Sequence, residues 1–328
     1  MLTTITHRAM AAEFAVILAE SDAHLVEPAL EALEFLDQIE ARLTIYQDQS
    51  EIARLNASAS RHPVAVSAET YALLQRSNAW SDRTAGAFDI TAGPLVRAWG
   101  FTQRRGRKPT GQEIDAALAR VGYQHLQFDD VKRSVKFAVP EMEINLGAIG
   151  KGFALDQLTA TLQERGLANF LIHGGGSSVI ARGDQVGGSG QGWAVGISHP
   201  TKPKLRLAGI RLRDQALSTS GSGKQFFHHR GRRFGHVIDP RTGYPAGDLL
   251  SLTVVAENAT DAEACSTAYF VAGSEAIAEA VESDLALPAM VGIAAEQRQD
   301  SVQVLPFAKF DWIDPPAGTD PDDPLPRA

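Results

Sequence analysis

Four segments of the chain combine glycine-marked turns with side chains able to do phosphate and metal chemistry. In residues 143–156, EINLGAIGKGFALD, a strand is expected to end at Leu146 and a turn then leads into a helix. Such a turn presents free backbone N–H groups and the positive end of the helix dipole to an anion. Lys151 would lie in the first helical turn, where the dipole disfavours a cation unless a phosphate is also bound. The segment therefore indicates an anion site, although a lysine that points to solvent would leave the same pattern.

A histidine, an aspartate and an arginine lie close together in the second segment, residues 218–245. His236, Asp239 and Arg241 fall within six positions, among turn-forming proline and glycine residues. An imidazole near a carboxylate and a guanidinium is suited to proton transfer and phosphate recognition. A hairpin whose polar residues only stabilise its own turn is the alternative interpretation.

The third segment, residues 259–273, places a carboxylate and a hydroxyl on one helix face. Glu263 and Thr267 are four residues apart, which brings their side chains about one helical turn from each other. Hard oxygen donors of this kind suit Mg²⁺, which keeps waters and substrate phosphate as its other ligands. The competing interpretation is a solvated glutamate and a threonine packed within the helix.

The fourth segment, residues 84–101, contains an aspartate in an apolar run. Asp89 lies between Gly86 and Gly93, and a carboxylate in such surroundings must be satisfied by hydrogen bonds. On its own, the pattern favours an aspartate that caps backbone N–H groups in a tight turn.

Composition excludes several other classes of protein. The chain has 328 residues and a formal charge of −8, which argues against sequence-independent nucleic-acid binding. Its one cysteine, Cys265, excludes an intrachain disulfide and a cysteine-built metal site. No apolar run approaches the roughly 20 residues that cross a bilayer. Met10–Leu18 is interrupted by Glu13 and predicts a first core strand rather than an export signal, so we expect a cytoplasmic location.

Hydrophobic periodicity predicts an α+β fold with mixed, largely antiparallel sheets flanked by helices, because strands cluster instead of alternating strictly with helices. Predicted helices cover 24–43, 68–81, 110–121, 148–165, 261–272 and 274–283. Predicted strands cover 126–129, 135–139, 144–146, 169–173, 179–183, 193–198, 205–213, 250–256, 290–295 and 301–305. The Pro- and Asp-rich residues 315–328 are expected to form a disordered tail after one domain at 1–314.

The order and wording of these segments resemble the ApbE family, the FAD:protein FMN transferases. The resemblance runs from about residue 10 to residue 275 of the chain. Its carriers are LDQIEARLTIYQDQSEIARLN at 36–56, GAFDIT at 86–91, GAIGKGFALD at 147–156, GGG at 174–176, TSG at 219–221, HVIDPRTGYP at 236–245 and STAYFVAG at 266–273. Each phrase is weak alone, and seven in the same order are specific.

The resemblance implies a Mg²⁺-dependent transfer of FMN from FAD to a Thr or Ser hydroxyl of an acceptor protein, with release of AMP. Expected metal ligands are Ala148, through its carbonyl, with Glu263 and Thr267; His236 is the expected base, with Asp239 beside it. Positions implied to bind FAD are Met10, Tyr46, Ala87, Phe88, Asp89, Asn145, Lys151 and Ile238.

This chain departs from the family pattern at three places. Glu263 stands where the family usually has Asp, Ala11-Ala12 where it has Gly-Thr, and Ser177 where it often has Asp. Two other functions stay open: an FAD-binding protein without turnover, and a Mg²⁺-dependent pyrophosphatase that gives FMN and AMP from FAD.

Overall fold

The computed structural model describes residues 1–103, 105–223, 225–283, 287–295 and 301–316. Its centre is an eight-stranded antiparallel sheet in the order β1-β2-β6-β7-β10-β13-β14-β15. These strands are β1 Thr3–Ala9, β2 Ala12–Leu18, β6 Phe170–Gly174, β7 Ser178–Arg182, β10 Gln215–Gly221, β13 Leu249–Ala256, β14 Ala289–Ala295 and β15 Val302–Pro306.

Three smaller sheets and eight α-helices complete the described part of the chain. The sheets are β3 Val64–Ala65, β5 Ser134–Phe137 and β4 Leu126–Asp129; β16 Trp312–Asp314, β9 Arg206–Leu212 and β8 Trp193–Ser198; and the hairpin β11 Phe226–His229 with β12 Arg232–Gly235. The helices are α1 Val26–Leu43, α2 Glu51–Ser58, α3 Ala68–Arg83, α4 Gly93–Ala98, α5 Gly111–Leu118, α6 Gly150–Glu164, α7 Ala259–Ala272 and α8 Ser274–Glu282.

The large sheet is covered on both faces, so its strands β2, β6, β7 and β13 are buried along most of their length. Successive side chains of a strand point to opposite faces. Ile172 and Ile180 accordingly pack into the main core with α1, α6 and α7. Their neighbours Leu171 and Val179 pack instead against the small sheet that contains β8 and β9. The large sheet is therefore held between the main core on one face and the small sheet on the other.

The predicted α+β architecture is confirmed, and every pair of named strands is antiparallel. The predicted Thr110–Glu113 capping box at the start of α5 is present. The predicted strand at 144–146 is wrong, because these residues belong to no strand. Isolated hydrogen bonds hold them instead of a strand ladder. Asn56 exchanges two hydrogen bonds with Ile144, and the N–H of Asn145 donates to Ile90 O at 2.7 Å.

A close crossing of α6 and α7 explains the spacing of the GAIGKGFALD motif. Asp156 of α6 accepts hydrogen bonds from the N–H groups of Ala259 and Thr260, the first residues of α7, at 2.8 and 2.9 Å. At Gly152, one turn earlier, a Cβ atom would lie 2.3 Å from Ala259 O. Only glycine allows the helices to approach this closely. The motif thus fixes the start of α7 against the first turn of α6.

Some of the sequence-based expectations concern residues that the structure does not describe. Residues 317–328 of the predicted tail, Arg104 and Lys224 lie outside them. No helix in the described ranges is long and apolar enough to span a bilayer. Cys265 is free and buried, and burial raises the pKa of its thiol to about 12, so it is chemically inert.

Candidate active site

A cavity of about 960 Å³ opens beside α6 and α7 at one end of the large sheet. This volume is at the upper end of the range for ligand pockets and suits a dinucleotide better than a small metabolite. Twelve sequence-predicted residues line it: Met10, Tyr46, Ala87, Phe88, Asp89, Asn145, Ala148, Lys151, His236, Ile238, Glu263 and Thr267. Segments separated by up to about 250 positions therefore meet at one place, as the resemblance implies.

The turn between β1 and β2 forms one wall of the cavity. Met10 has a left-handed backbone, with φ of 50°, and its N–H donates to Glu40 Oε2 at 2.7 Å. Tyr46 is 72% exposed at the rim and donates its hydroxyl proton to Thr102 O at 3.2 Å. Tyr46 is thus an aromatic surface at the entrance that a planar ring could cover.

Asp89 stabilises the turn that carries the GAFDIT phrase. Its Oδ1 accepts from both the N–H and the hydroxyl of Thr91 at 2.7 Å, and its Oδ2 accepts from the N–H of Tyr123 at 2.8 Å. Burial raises the pKa of Asp89 above its ordinary value, against the opposing effect of these bonds. The capping role favoured by the sequence is therefore observed, and the turn it supports presents Ala87 and Phe88 to the cavity.

An ion pair lies beneath the cavity where the resemblance implies a phosphate and a metal. Lys151 Nζ is 2.7 Å from Glu263 Oε1, which also accepts from the hydroxyl of Ser178 at 2.5 Å. Glu263 Oε2 accepts from the N–H of Gly152 at 2.7 Å. Glu263 is 3% exposed, so the interpretation of a solvated glutamate is wrong. The interpretation of Lys151 as a lysine that only points to solvent is wrong as well.

Three hydroxyl groups lie next to this ion pair. Ser220 Oγ at the end of β10 is 2.9 Å from Ser266 Oγ and 3.1 Å from Thr267 Oγ1, both on α7. No group of three or more His, Cys, Asp or Glu side chains suited to a metal occurs in the described ranges. The available donors are therefore one carboxylate and several hydroxyls. As hard oxygens they match the preference of Mg²⁺, which draws its remaining ligands from water and substrate phosphate.

His236 is held in one tautomer by the backbone. Its Nδ1 lies 3.2 Å from Gln225 O, and a carbonyl oxygen can only accept, so Nδ1 carries the proton and Nε2 keeps a lone pair. Burial, reinforced by the charge of Lys151, lowers the pKa of His236 below its ordinary value, although the bond to Gln225 acts in the opposite direction. The residue is therefore a neutral imidazole at neutral pH, and its Nε2 has no hydrogen-bond partner among the described residues, as a general base requires.

Asp239 and His236, which the sequence was expected to place side by side as a catalytic pair, have different partners in the structure. The carboxylate of Asp239 is bound by Arg241, whose Nε and Nη2 donate to it at 2.9 and 3.0 Å. It does not line the cavity, and in the described part of the chain it makes no hydrogen bond with His236. The pair stabilises the turn that follows His236, which is the hairpin alternative considered for this residue.

Comparison with known proteins decides the family. The model of the ApbE family matches residues 1–291. The chain belongs to the ApbE family. Among curated ApbE relatives, the FAD:protein FMN transferase of Escherichia coli K12 is 34% identical over 272 residues, which cover 81% of this chain and 76% of that protein. The FAD:protein FMN transferase of Treponema pallidum is 35% identical over 258 residues, 75% of this chain and 71% of that one.

Solved structures of ApbE proteins share the fold. The ApbE protein of Thermotoga maritima superposes with a TM-score of 0.81 at 29% identity, covering 92% of this chain and 97% of that one. The flavinyl transferase ApbE of Pseudomonas stutzeri, in its apo form, gives 0.80 at 27% identity, covering 93% and 94%. The similarity therefore extends over nearly the whole described chain.

Sequence reasoning missed several residues that line this ApbE cavity or hold its side chains. Ser178 and Ser220 come from strands whose neighbours in space lie far away in sequence, so no local pattern marks them. Ser266 stands within the STAYFVAG phrase and could have been noticed there. His199 follows β8 in an unremarkable His-Pro sequence, and only the fold places it at the cavity.

Proposed function

We propose that the protein transfers FMN from FAD to a Ser or Thr hydroxyl of an acceptor protein and releases AMP. Membership of the ApbE family supports this activity, and so do the names of the curated relatives. The observation that carries the proposal for this chain is the convergence of His236, Lys151 and the hydroxyl groups of Ser220 and Thr267 on one cavity of dinucleotide size.

The proposed reaction needs a base near the attacking hydroxyl. Nε2 of His236 would take the proton as the acceptor oxygen forms a bond to the FMN-side phosphorus of FAD. The bond from that phosphorus to the bridging oxygen breaks, and AMP leaves with the electron pair. A neutral histidine is suited to this role because it can accept the proton without first losing one.

The negative charge of the pyrophosphate must be balanced during the transfer. Lys151 has its ammonium group at the cavity wall and would bind a phosphate oxygen while it remains close to Glu263. The N–H groups of Ala148 and Lys151, which have no acceptor among the described residues, would add neutral donors at the positive end of the helix dipole. Asn145 shapes this turn, because its Oδ1 accepts from the N–H of Gly147 at 2.8 Å.

We propose Mg²⁺ as the metal, held by the carboxylate of Glu263, the hydroxyl of Thr267 and the carbonyl of Ala148. When bound, it would neutralise phosphate charge and orient the pyrophosphate. Ser220 is an additional hydroxyl donor in reach of Thr267. The residue types fit such an ion, but Glu263 must then share its carboxylate between the metal and Lys151.

The test is an incubation of the purified protein with FAD, Mg²⁺ and a folded acceptor that contains a reactive Thr. We expect the acceptor band to become fluorescent from covalent flavin in a denaturing gel. An acceptor with that Thr changed to Val is the matched control and should stay dark. FMN and AMP formed at the same rate without acceptor would show a pyrophosphatase instead. Tight binding of FAD with no product would show a binding protein.

A further inference from the structure

We propose that His199 is a hydrogen-bond donor that positions the bound dinucleotide, by donating its Nε2–H to an oxygen atom of that substrate. This inference rests on the proposed function only in that it takes FAD as the occupant of the cavity. His199 belongs to none of the motifs that carry the family resemblance. It follows β8 in the small sheet, on the wall formed by residues 195–203.

The backbone fixes the tautomer of His199. The N–H groups of Thr201 and Lys202 both donate to its Nδ1, each at 3.2 Å. A backbone N–H can only donate, so Nδ1 must be unprotonated and the hydrogen of the neutral ring must lie on Nε2. The Thr201 hydroxyl, 3.3 Å from the same nitrogen, strengthens the arrangement. The ring therefore caps its own turn with one nitrogen and keeps a hydrogen on the other.

Nε2 is the only polar atom of this ring that has no partner among the described residues. His199 is 5% exposed and lines the cavity. Because Nδ1 is turned toward the backbone of Thr201 and Lys202, we infer that Nε2, on the far side of the ring, is the atom that faces the cavity. Water can satisfy this N–H in the ligand-free protein, and a ligand that displaces the water must offer an oxygen acceptor in its place.

His199 and His236 line the same cavity in opposite tautomers. At His236 a backbone carbonyl accepts from Nδ1, which leaves Nε2 as a base, whereas at His199 two backbone N–H groups make Nε2 a donor. The two turns also touch: a Cβ atom at Gly223 would lie 2.3 Å from Pro200 O, and Gln225 two residues later orients His236. One histidine can remove a proton from a substrate, and the other can only offer one to an oxygen acceptor.

The dinucleotide is the substrate that best fits this donor. His199 lies inside the cavity, where a small molecule reaches, whereas a folded acceptor protein would contact mainly exposed residues at the rim. FAD carries phosphate, ribityl, ribose and ring carbonyl oxygens, and all of them accept hydrogen bonds. The nearby apolar residues Val195 and Ile197 of β8 would pack against carbon atoms of the same ligand.

Two substitutions separate the donor from the turn cap. In His199→Asn, the side-chain oxygen can still accept from the N–H groups two and three residues later, as in an Asx turn, but the donor at Nε2 is lost. In His199→Gln, an amide N–H reaches the region of Nε2, but the cap at Nδ1 is lost. The readouts are the Kd for FAD by calorimetry, the melting temperature of the protein without ligand, and the KM for the acceptor.

We expect His199→Asn to keep the melting temperature of the wild type and to raise the Kd for FAD about threefold to tenfold. His199→Gln should melt at a lower temperature and bind FAD more tightly than His199→Asn. An unchanged Kd in a folded His199→Asn protein would overturn the inference. So would a change confined to the acceptor KM, which would assign the donor to the protein substrate. If the wild type itself fails to bind FAD, the proposed function is wrong and not only the role of His199.

Discussion

Lys151 Nζ lies 2.7 Å from Glu263 Oε1, and this ion pair joins the first turn of α6 to the second turn of α7 beneath the cavity. The side chain of Glu263 is 4% exposed and that of Lys151 26% exposed, so water screens the glutamate little. The carboxylate also accepts from Ser178 and from the N–H of Gly152. Glu263, on α7, therefore links the first turn of α6 to strand β7 of the large sheet.

Glu263→Gln should destabilise the fold as well as impair the site. The change leaves Lys151 without its counter-ion and replaces a hydrogen-bond acceptor by a group that can also donate. Breaking a buried pair costs about 3–5 kcal/mol, and the partial exposure of Lys151 reduces the expected loss to about 2 kcal/mol. Urea unfolding measures this free energy. Glu279→Gln on the exposed face of α8 is the matched control and should change it by less than about 0.5 kcal/mol.

Lys151→Met should increase the affinity of the ligand-free protein for a divalent cation. The ammonium group and a metal would compete for the same carboxylate, so removal of the lysine charge leaves Glu263 open to the ion. Calorimetric titration with Mg²⁺ or Mn²⁺ should show severalfold tighter binding than in the wild type. Lys132→Met, on an exposed turn, is the control. Weaker or unchanged binding in Lys151→Met would show that Glu263 is not the metal carboxylate.

His236→Ala should reduce the rate of FMN transfer by about 10²- to 10⁴-fold and leave FAD binding nearly unchanged, because the lost function is proton transfer. Single-turnover kinetics and calorimetry measure the two quantities separately. His228→Ala, in the exposed part of the β11–β12 hairpin, should keep both. A His236→Ala protein that loses FAD binding to the same extent as activity would show a structural role for the ring.

In the wild type, the loss of transfer activity on the acidic side of the pH profile should occur at a lower pH than for an ordinary histidine. Because burial lowers the pKa of His236, the ring stays neutral to a lower pH than an ordinary histidine, and kcat/KM should fall only below pH 6.5. The unfolded chain binds this proton more readily than the folded one. Stability is therefore retained above about pH 6.5 and lost as the pH falls below it. His236→Ala should show a smaller loss of unfolding free energy between pH 7.5 and 5.

Gly152→Ala tests the close crossing of α6 and α7. A Cβ atom there would lie 2.3 Å from Ala259 O, so the helices must separate and the Lys151–Glu263 pair must lengthen. We expect a loss of about 2–3 kcal/mol of unfolding free energy and weaker FAD binding. Gly111→Ala is the matched control, since nothing lies within 4 Å of a Cβ atom at that position of α5. Equal stability of the two variants would contradict the packing argument.

Local sequence patterns predicted those helices and strands whose structure depends mainly on their own residues. The periodicity of α1 and the capping box of α5 needed no tertiary information. Contacts between distant segments were not accessible in the same way. The Ser220–Thr267 hydroxyl pair joins β10 to α7, and the cap that Asp156 gives to Ala259 joins two helices about 100 positions apart.

The partner of Asp239 was hidden from the sequence for a related reason. Asp239 is close to His236 in sequence, but its carboxylate accepts two hydrogen bonds from the guanidinium of Arg241, two residues further along the chain. His199 illustrates the opposite case, since nothing near it in sequence marks its importance. Its role arises only where the small sheet closes the cavity.

We propose that an acceptor hydroxyl cleaves the pyrophosphate of FAD in the cavity between the turn that carries Lys151 and α7. The most direct measurement quantifies AMP by chromatography and acceptor-linked FMN by mass spectrometry in the same reaction. We predict one AMP for each FMN on the acceptor, with free FMN negligible. AMP formed in equal amount with free FMN, and an acceptor of unchanged mass, would contradict the account.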